Sequence, residues 1–229
     1  MSPQLAESTA RWRTSRWLAL IEIALVLALV AGDFYGLVPV TSTPFFLVLG
    51  WISLRLRGRG WRDVGFVQPR NWPRALGIGC LAGIGMELFS TFVTVPFLSQ
   101  LTGKPPDLSD FRSTVGNLQL LLFWIALSWV LAAFGEELAF RGYVMNRIAD
   151  LGQGRRAAWI ASLVVTSALF GWAHGGQGLT GMLQEGFAGF LLGLVYLGSG
   201  RNLAAPIVAH GVANTMAFIL IFFDRYPGV

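Results

Sequence analysis

Long apolar stretches with few or no charges recur along most of this chain, and they restrict its fold more than any other feature of the sequence. Hydrophobic residues make up 54% of the chain and charged residues only 13%, which is outside the range of soluble globular domains. Each stretch approaches the roughly 20 residues that a helix needs to cross a bilayer. The seven stretches are residues 17–31, 37–54, 75–98, 118–134, 157–173, 179–198 and 203–223. The sequence therefore predicts an all-α, polytopic membrane helix bundle of about seven (six to eight) transmembrane helices around an intramembrane polar cavity, forming a single integral membrane domain over residues 1–229.

Individual stretches carry further signals. Glu22 within the first stretch, with more apolar stretches downstream, favours an uncleaved membrane span over a secretory signal peptide. The second stretch is interrupted by Pro39 and Pro44, and the third holds Glu87, for which an interhelical hydrogen bond is the favoured interpretation and a second functional carboxylate the other. Small residues at close spacing let helix backbones approach each other in lipid. The third stretch has four such residues: Gly77, Gly79, Gly83 and Gly85.

Basic residues are distributed unevenly between the loops. With the N-terminus inside, 14 of the 17 Lys and Arg residues fall on the cytoplasmic side, and Lys104, Arg112 and Arg225 on the other. This asymmetry predicts a cytoplasmic N-terminus and a polar cytoplasmic segment over residues 1–16. We expect an integral membrane protein, located in a bacterial-type plasma membrane. The net charge of +5 is explained by these loops, so we do not expect nucleic-acid binding. The single cysteine, Cys80, excludes an intrachain disulfide and a thiolate zinc cluster.

Two adjacent glutamates follow the fourth apolar stretch, in the run Gly135–Arg141. Charges at membrane depth are costly and by default suggest function. At helical spacing Glu137 and Arg141 share one face, whereas Glu136 turns about 100° away. One carboxylate therefore has a local counter-ion, and the other is suited to act as a general base. A solvated Glu-Glu step just past a membrane helix is the alternative interpretation.

Both histidines of the chain also fall in or at the end of apolar stretches. His174 closes the fifth stretch, and His210 lies within the seventh, four residues before Asn214. At this spacing the His210 and Asn214 side chains project from one helical face. A lone membrane histidine is more often structural, but the concentration of these groups on three stretches of the C-terminal half favours a shared site.

These residues resemble a known family of membrane enzymes. Glu136-Glu137-x-x-x-Arg141, Phe170-x-x-x-His174 and His210-x-x-x-Asn214, in this order on successive hydrophobic segments, are similar to the three motifs of the CAAX-protease and bacteriocin-processing family. That family comprises intramembrane glutamic endopeptidases and includes the type II (Rce1-like) prenyl-protein proteases. The resemblance implies a catalytic half over residues 117–223 and a peptide or protein substrate, prenylated or not. It makes no claim on the first hundred residues, and the oligomeric state stays open.

Peptide hydrolysis needs an activated water, a stabilised oxyanion and a proton for the leaving amine. We expect Glu136 to be the base, because Arg141 keeps Glu137 ionised and the resemblance also puts the base at the first glutamate of the motif. His174 would orient the water or share its proton, and His210 with Asn214 would donate hydrogen bonds to the oxyanion. Glu137, Arg141 and Phe170 would support the site.

Two alternatives remain open from the sequence. Glu136, His174 and His210 could instead hold zinc with a water as fourth ligand, although the metal-free mechanism is preferred and no cofactor is expected. The same residues could also belong to a non-enzymatic membrane protein, either a proton-coupled transporter or a bacteriocin-immunity-type binding protein. For Glu136 and the two histidines to meet, the fourth helix must continue through Arg141 to about Ile148, and we expect the resulting cavity to open to the cytoplasm.

Overall fold

The chain, represented by a computed structural model that describes residues 15–38 and 41–229, is helical, with no β-strand in these two ranges. Residues 1–14, with Arg11 and Arg13, and Pro39 lie outside the described residues, so the predictions for the polar N-terminal segment and for that proline concern parts not described. The helices are α1 (Arg16–Phe34), α2 (Thr43–Leu56), α3 (Trp72–Thr102), α4 (Leu118–Leu151), α5 (Arg156–Ala173), α6 (Gly178–Gly198) and α7 (Ala204–Phe222).

Six of these helices are long and apolar enough to cross a membrane, which confirms the predicted polytopic bundle. The exception is α2, which has 14 residues and begins at Thr43, so the predicted start at residue 37 is wrong. Pro44 lies in the first turn of α2, where its missing N–H costs no helical hydrogen bond. This proline marks the start of the helix instead of interrupting it.

Two helices change their hydrogen-bonding pattern partway along. In α3 the segment Ser90–Thr94 is π-helical, and in α4 the segment Ser128–Val144 is π-helical, so that each N–H bonds five residues back. At the end of the second segment, the Met145 N–H donates to the Phe140 carbonyl. The π-helical turns of α4 include Glu136, and departures of this kind are frequent at functional sites.

Glycines bring α3 and α7 into close contact. A Cβ added at Gly79 would lie 2.6 Å from the Val208 Cβ, and one added at Gly83 would collide with the Ala209 carbonyl oxygen. Gly77 and Gly85 face open space. Two of the four glycines therefore have the packing role expected of small residues in membrane helices.

Two carboxylates in the first and third apolar stretches, Glu22 and Glu87, have partners close to them. Glu22 on α1 forms a buried ion pair with Arg57, just past α2, at 2.7 Å. Glu87 accepts a hydrogen bond from Thr91 on its own helix at 3.1 Å and one from Tyr226, which follows α7. Burial raises the pKa of the Tyr226 phenol, so its proton stays available for this bond. Neither carboxylate lines the cavity described below.

The loops gather at two opposite ends of the bundle. The arginine-rich end comprises loops 57–71, 152–155 and 199–203; the arginine-poor end comprises 35–38, 41–42, 103–117, 174–177 and 223–229. At the first, the Leu203 N–H donates to the Gly65 carbonyl at 3.0 Å. At the second, the Leu108 N–H donates to the Gly228 carbonyl at 2.9 Å, and the Asp107 N–H donates to Gln177. The two ends thus form separate, internally bonded surfaces.

Candidate active site

A cavity of about 660 Å³ lies between the helices, and the predicted site residues line it. Much of its wall is apolar, formed by Phe123, Trp124, Leu127 and Phe218 among others. Its ionisable and amide side chains are Asp33, Asp110, Glu136, His174, Gln177, Glu185, His210 and Asn214. The structure therefore brings all four predicted catalytic residues, from α4, α7 and the end of α5, to one polar region.

Glu137 is a fully buried carboxylate next to Glu136 in the chain. Its Oε1 accepts a hydrogen bond from Arg141 Nη1 at 2.6 Å, and both side chains are almost fully buried. A second guanidinium nitrogen of Arg141 donates to the Gly189 carbonyl on α6 at 2.9 Å. The predicted pairing along one face of α4 is present, and it also fastens α4 to α6.

The same carboxylate oxygen of Glu137 holds His210, a contact that the sequence did not predict. His210 Nδ1 lies 3.0 Å from Glu137 Oε1, across 73 residues of chain. A carboxylate oxygen can only accept here, so Nδ1 carries the hydrogen, and Nε2 is the nitrogen left for the cavity. Glu137 therefore fixes the orientation and the tautomer of His210.

His174 is fixed in the same way by the backbone. Its Nδ1 lies 2.8 Å from the Phe170 carbonyl oxygen, which again assigns the hydrogen to Nδ1 and leaves Nε2 for the cavity. The Phe170 ring packs 4.7 Å from the His174 ring and 6.1 Å from the His210 ring. The Arg141 guanidinium lies 4.7 Å from its centroid. Phe170 is thus the apolar centre around which the two histidines and Arg141 are arranged.

Glu136 differs from its neighbour in having no counter-ion on its own helix. Its Oε2 is buried and makes no hydrogen bond to any described residue, while the side chain as a whole lines the cavity. His174 and His210 line the same cavity, so Glu136 shares it with both histidines.

Glu185 on α6 is a cavity carboxylate that our interpretation of the sequence overlooked. It is half-buried and has no hydrogen bond or ion pair with any described residue. Glu185 lines the same cavity as His174 and Glu136. A sequence signal was present, because a carboxylate within the apolar stretch 179–198 is itself a functional hypothesis.

Glu136, His174 and His210 are the alternative zinc ligands. Within the described ranges, no three His, Cys, Asp or Glu side chains are grouped so that they could hold a metal ion. Glu136, His174 and His210 line one cavity without forming such a group. The proposed catalytic mechanism uses protein side chains and water.

The cavity reaches one end of the bundle only. Leu108, Asp110 and Gln177, from loops of the arginine-poor end, line it, and Asp110 is exposed. None of its lining residues comes from the loops of the arginine-rich end. The fourth helix does continue past Ile148, as the meeting of Glu136 and the histidines required. The observed opening, however, lies at the end opposite the start of α1, so the expected cytoplasmic N-terminus and the expected cytoplasmic opening of the cavity cannot both be correct.

Part of the chain matches a known protein family. Residues 118–216 match the family described as type II CAAX prenyl endopeptidase, Rce1-like. Neither a curated protein nor a solved structure matches the chain. The matched segment begins with α4 and ends just after Asn214, so it contains every residue of the three motifs. The resemblance seen in the motifs is confirmed by this match, which covers 99 of the 229 residues.

Proposed function

We propose that this protein is an intramembrane endopeptidase that hydrolyses a peptide bond of a membrane-associated or lipidated protein or peptide, using a water activated by Glu136. The observation that carries the proposal is the arrangement of Glu136, His174, His210 and Asn214 around one cavity, within the segment that matches an endopeptidase family. The apolar wall formed by Phe123, Trp124 and Phe218 suits an apolar substrate segment or lipid group.

Glu136 is the general base in this proposal. Glu137 already accepts hydrogen bonds from Arg141 and His210, so its carboxylate is committed to holding these two side chains. Glu136 lines the cavity with one oxygen unpartnered among the described residues, so it can take a proton from water and return it to the leaving amine.

Asn214 and His210, both on α7, stabilise the oxyanion in this proposal. The Asn214 amide can donate in any protonation state. His210 can donate from Nε2 only as the imidazolium, because its Nδ1 hydrogen is committed to Glu137. Loss of one such donor in other enzymes costs about 2.7 to 4 kcal/mol of transition-state stabilisation.

His174 orients the attacking water. Its ring is fixed by the Phe170 carbonyl, and its neutral form presents Nε2 as an acceptor for a water hydrogen. With Glu136 accepting the other hydrogen, the water oxygen is free to attack the scissile carbonyl.

The test compares cleavage products in cells. Membranes from cells producing the wild type, Glu136→Gln or Glu87→Gln are examined for new peptide N-termini by mass spectrometry. Glu87→Gln is the matched control, because it removes an intramembrane carboxylate that does not line the cavity. We expect shared products in the wild type and Glu87→Gln that are missing in Glu136→Gln.

Identical N-termini in all three samples, with equal amounts of folded protein, would contradict the proposal. That outcome would favour the non-enzymatic alternative, a transporter or immunity-type binding protein with the same Glu and His network. A substrate found in this way then provides the peptide for assays with purified protein.

A further inference from the structure

We propose that the catalytic cavity is entered from the extracytoplasmic side of the membrane, so that its substrate is a peptide segment exposed on, or anchored in, the outer face. The substrate part rests on the proposed endopeptidase function, whereas the side of entry does not. The inference combines the position of the cavity mouth with the distribution of charge between the two ends of the bundle.

The first step is the path of the cavity. On α4 its lining runs from Phe123 near the arginine-poor end to Phe140, and on α7 it runs from His210 to Ile221 at that same end. Tyr226, beyond α7, continues the wall. The cavity therefore extends from the catalytic residues in one direction only, towards the arginine-poor end.

The second step is the charge of the two ends. At the arginine-poor end the cationic side chains are Lys104, Arg112 and Arg225, whereas the opposite end carries Arg57, Arg59, Arg62, Arg70, Arg155, Arg156 and Arg201. Arg141 and Arg147 are buried, and leaving them out does not change this contrast. Since Lys and Arg are enriched in cytoplasmic loops, the arginine-rich end is cytoplasmic and the mouth faces outwards.

The mouth also meets the lipid of the outer leaflet. Phe123 on α4 lines the cavity, and 54% of its surface is exposed. At the rim, Asp110 is exposed and Asp33 accepts a hydrogen bond from Ser42 at 2.6 Å. A membrane-anchored segment can therefore enter from the outer leaflet, past an acidic rim, without crossing the bilayer.

The experiment maps the mouth by cysteine labelling of the full chain. Cys80 is replaced by Ala, and single cysteines are introduced by Asp110→Cys at the rim and by Gln68→Cys in an exposed loop of the arginine-rich end. A charged, membrane-impermeant maleimide is added to spheroplasts before or after lysis. We expect Asp110→Cys to react in intact spheroplasts and Gln68→Cys to react only after lysis. The reverse pattern, or reaction of both sites at the same stage, would overturn the proposal.

A cleavage assay then tests, independently of the labelling, from which side of the membrane the substrate is cleaved. Right-side-out vesicles should cleave an added impermeant substrate peptide, and inverted vesicles should do so only after permeabilisation. Expected labelling with no cleavage by either vesicle type would contradict the proposed function and leave the side of entry supported. Cleavage restricted to inverted vesicles would overturn the side of entry while supporting the endopeptidase.

Discussion

Two adjacent glutamates have different surroundings: Glu137 is paired with Arg141 and His210, whereas Glu136 has an oxygen with no described hydrogen-bond partner. The pairing of Glu137 with Arg141 could be predicted, because i,i+4 spacing is a local property of a helix. The contact between Glu137 and His210 could not, because it depends on how α4 and α7 pack. Glu185 was missed for a related reason, since nothing in its own stretch showed that α6 faces the motifs.

Replacing the two glutamates should separate stability from catalysis. Glu137→Gln should destabilise the protein by about 3 to 5 kcal/mol, because it leaves Arg141 buried without its carboxylate partner. Glu136→Gln should leave stability unchanged or higher while turnover falls by orders of magnitude. Thermal unfolding in detergent and cleavage assays on both variants provide the measurement. If Glu137→Gln were the stable, inactive variant and Glu136→Gln the unstable one, the two roles would have to be exchanged.

Glu185→Gln should lower turnover about tenfold, equivalent to ~1.4 kcal/mol. Glu185 lines the same cavity as His174, so its removal takes a negative charge from the surroundings of the imidazole that orients the water. Because Glu185 has no described hydrogen-bond or ion-pair partner to leave behind, the unfolding temperature should not fall. The readouts are kcat, its pH profile and thermal unfolding, with Glu87→Gln as the control. A loss of activity matched by loss of folded protein, with an unchanged pH profile, would assign Glu185 a structural role.

At the scale of the helices, hydropathy predicted most of the architecture. The apolar stretches gave six helices long enough to span a membrane, because the bilayer imposes a length and a composition on each span. The π-helical turns of α4 were not predicted, since the change of hydrogen-bonding pattern leaves no clear mark in composition. The start of α2 was misplaced because an apolar loop and an apolar helix have the same hydropathy.

The glycine contact between α3 and α7 should support the site directly. Gly83→Ala places a methyl group against the Ala209 carbonyl, next to His210, so the two helices must separate. Overpacking of this kind typically costs about 1 to 3 kcal/mol. We expect a lower unfolding temperature and reduced cleavage. Gly85→Ala is the matched control, because its added Cβ meets no atom within 4 Å, and it should behave as wild type. Equal effects of the two changes would show that the contact at Gly83 is unimportant.

At the scale of the whole molecule, the site results from bringing α4, α5, α6 and α7 together around Phe170. The sequence predicted which residues would meet, because their types and order matched a family pattern. It did not predict the end at which the cavity opens, because that depends on how the loops 103–117 and 174–177 pack beside it. Charge counting remains the basis for relating that end to a side of the membrane.

The last prediction concerns the mechanism as a whole: cleavage by the purified protein should survive exhaustive chelation with EDTA and with 1,10-phenanthroline. A zinc mechanism would require Glu136, His174 and His210 to act as ligands around one ion, with water as the fourth. In our proposal the same water is activated by Glu136 and oriented by His174, so no step depends on a removable ion. The measurement is turnover before and after chelation, with metal content determined on the same samples. Loss of activity on chelation, followed by recovery on addition of zinc but not of magnesium, would replace the carboxylate mechanism with a metal-dependent one. The wild type and Glu87→Gln should respond alike to chelation, because Glu87 lies outside the cavity. An effect confined to one of them would indicate that the chelator damages the fold.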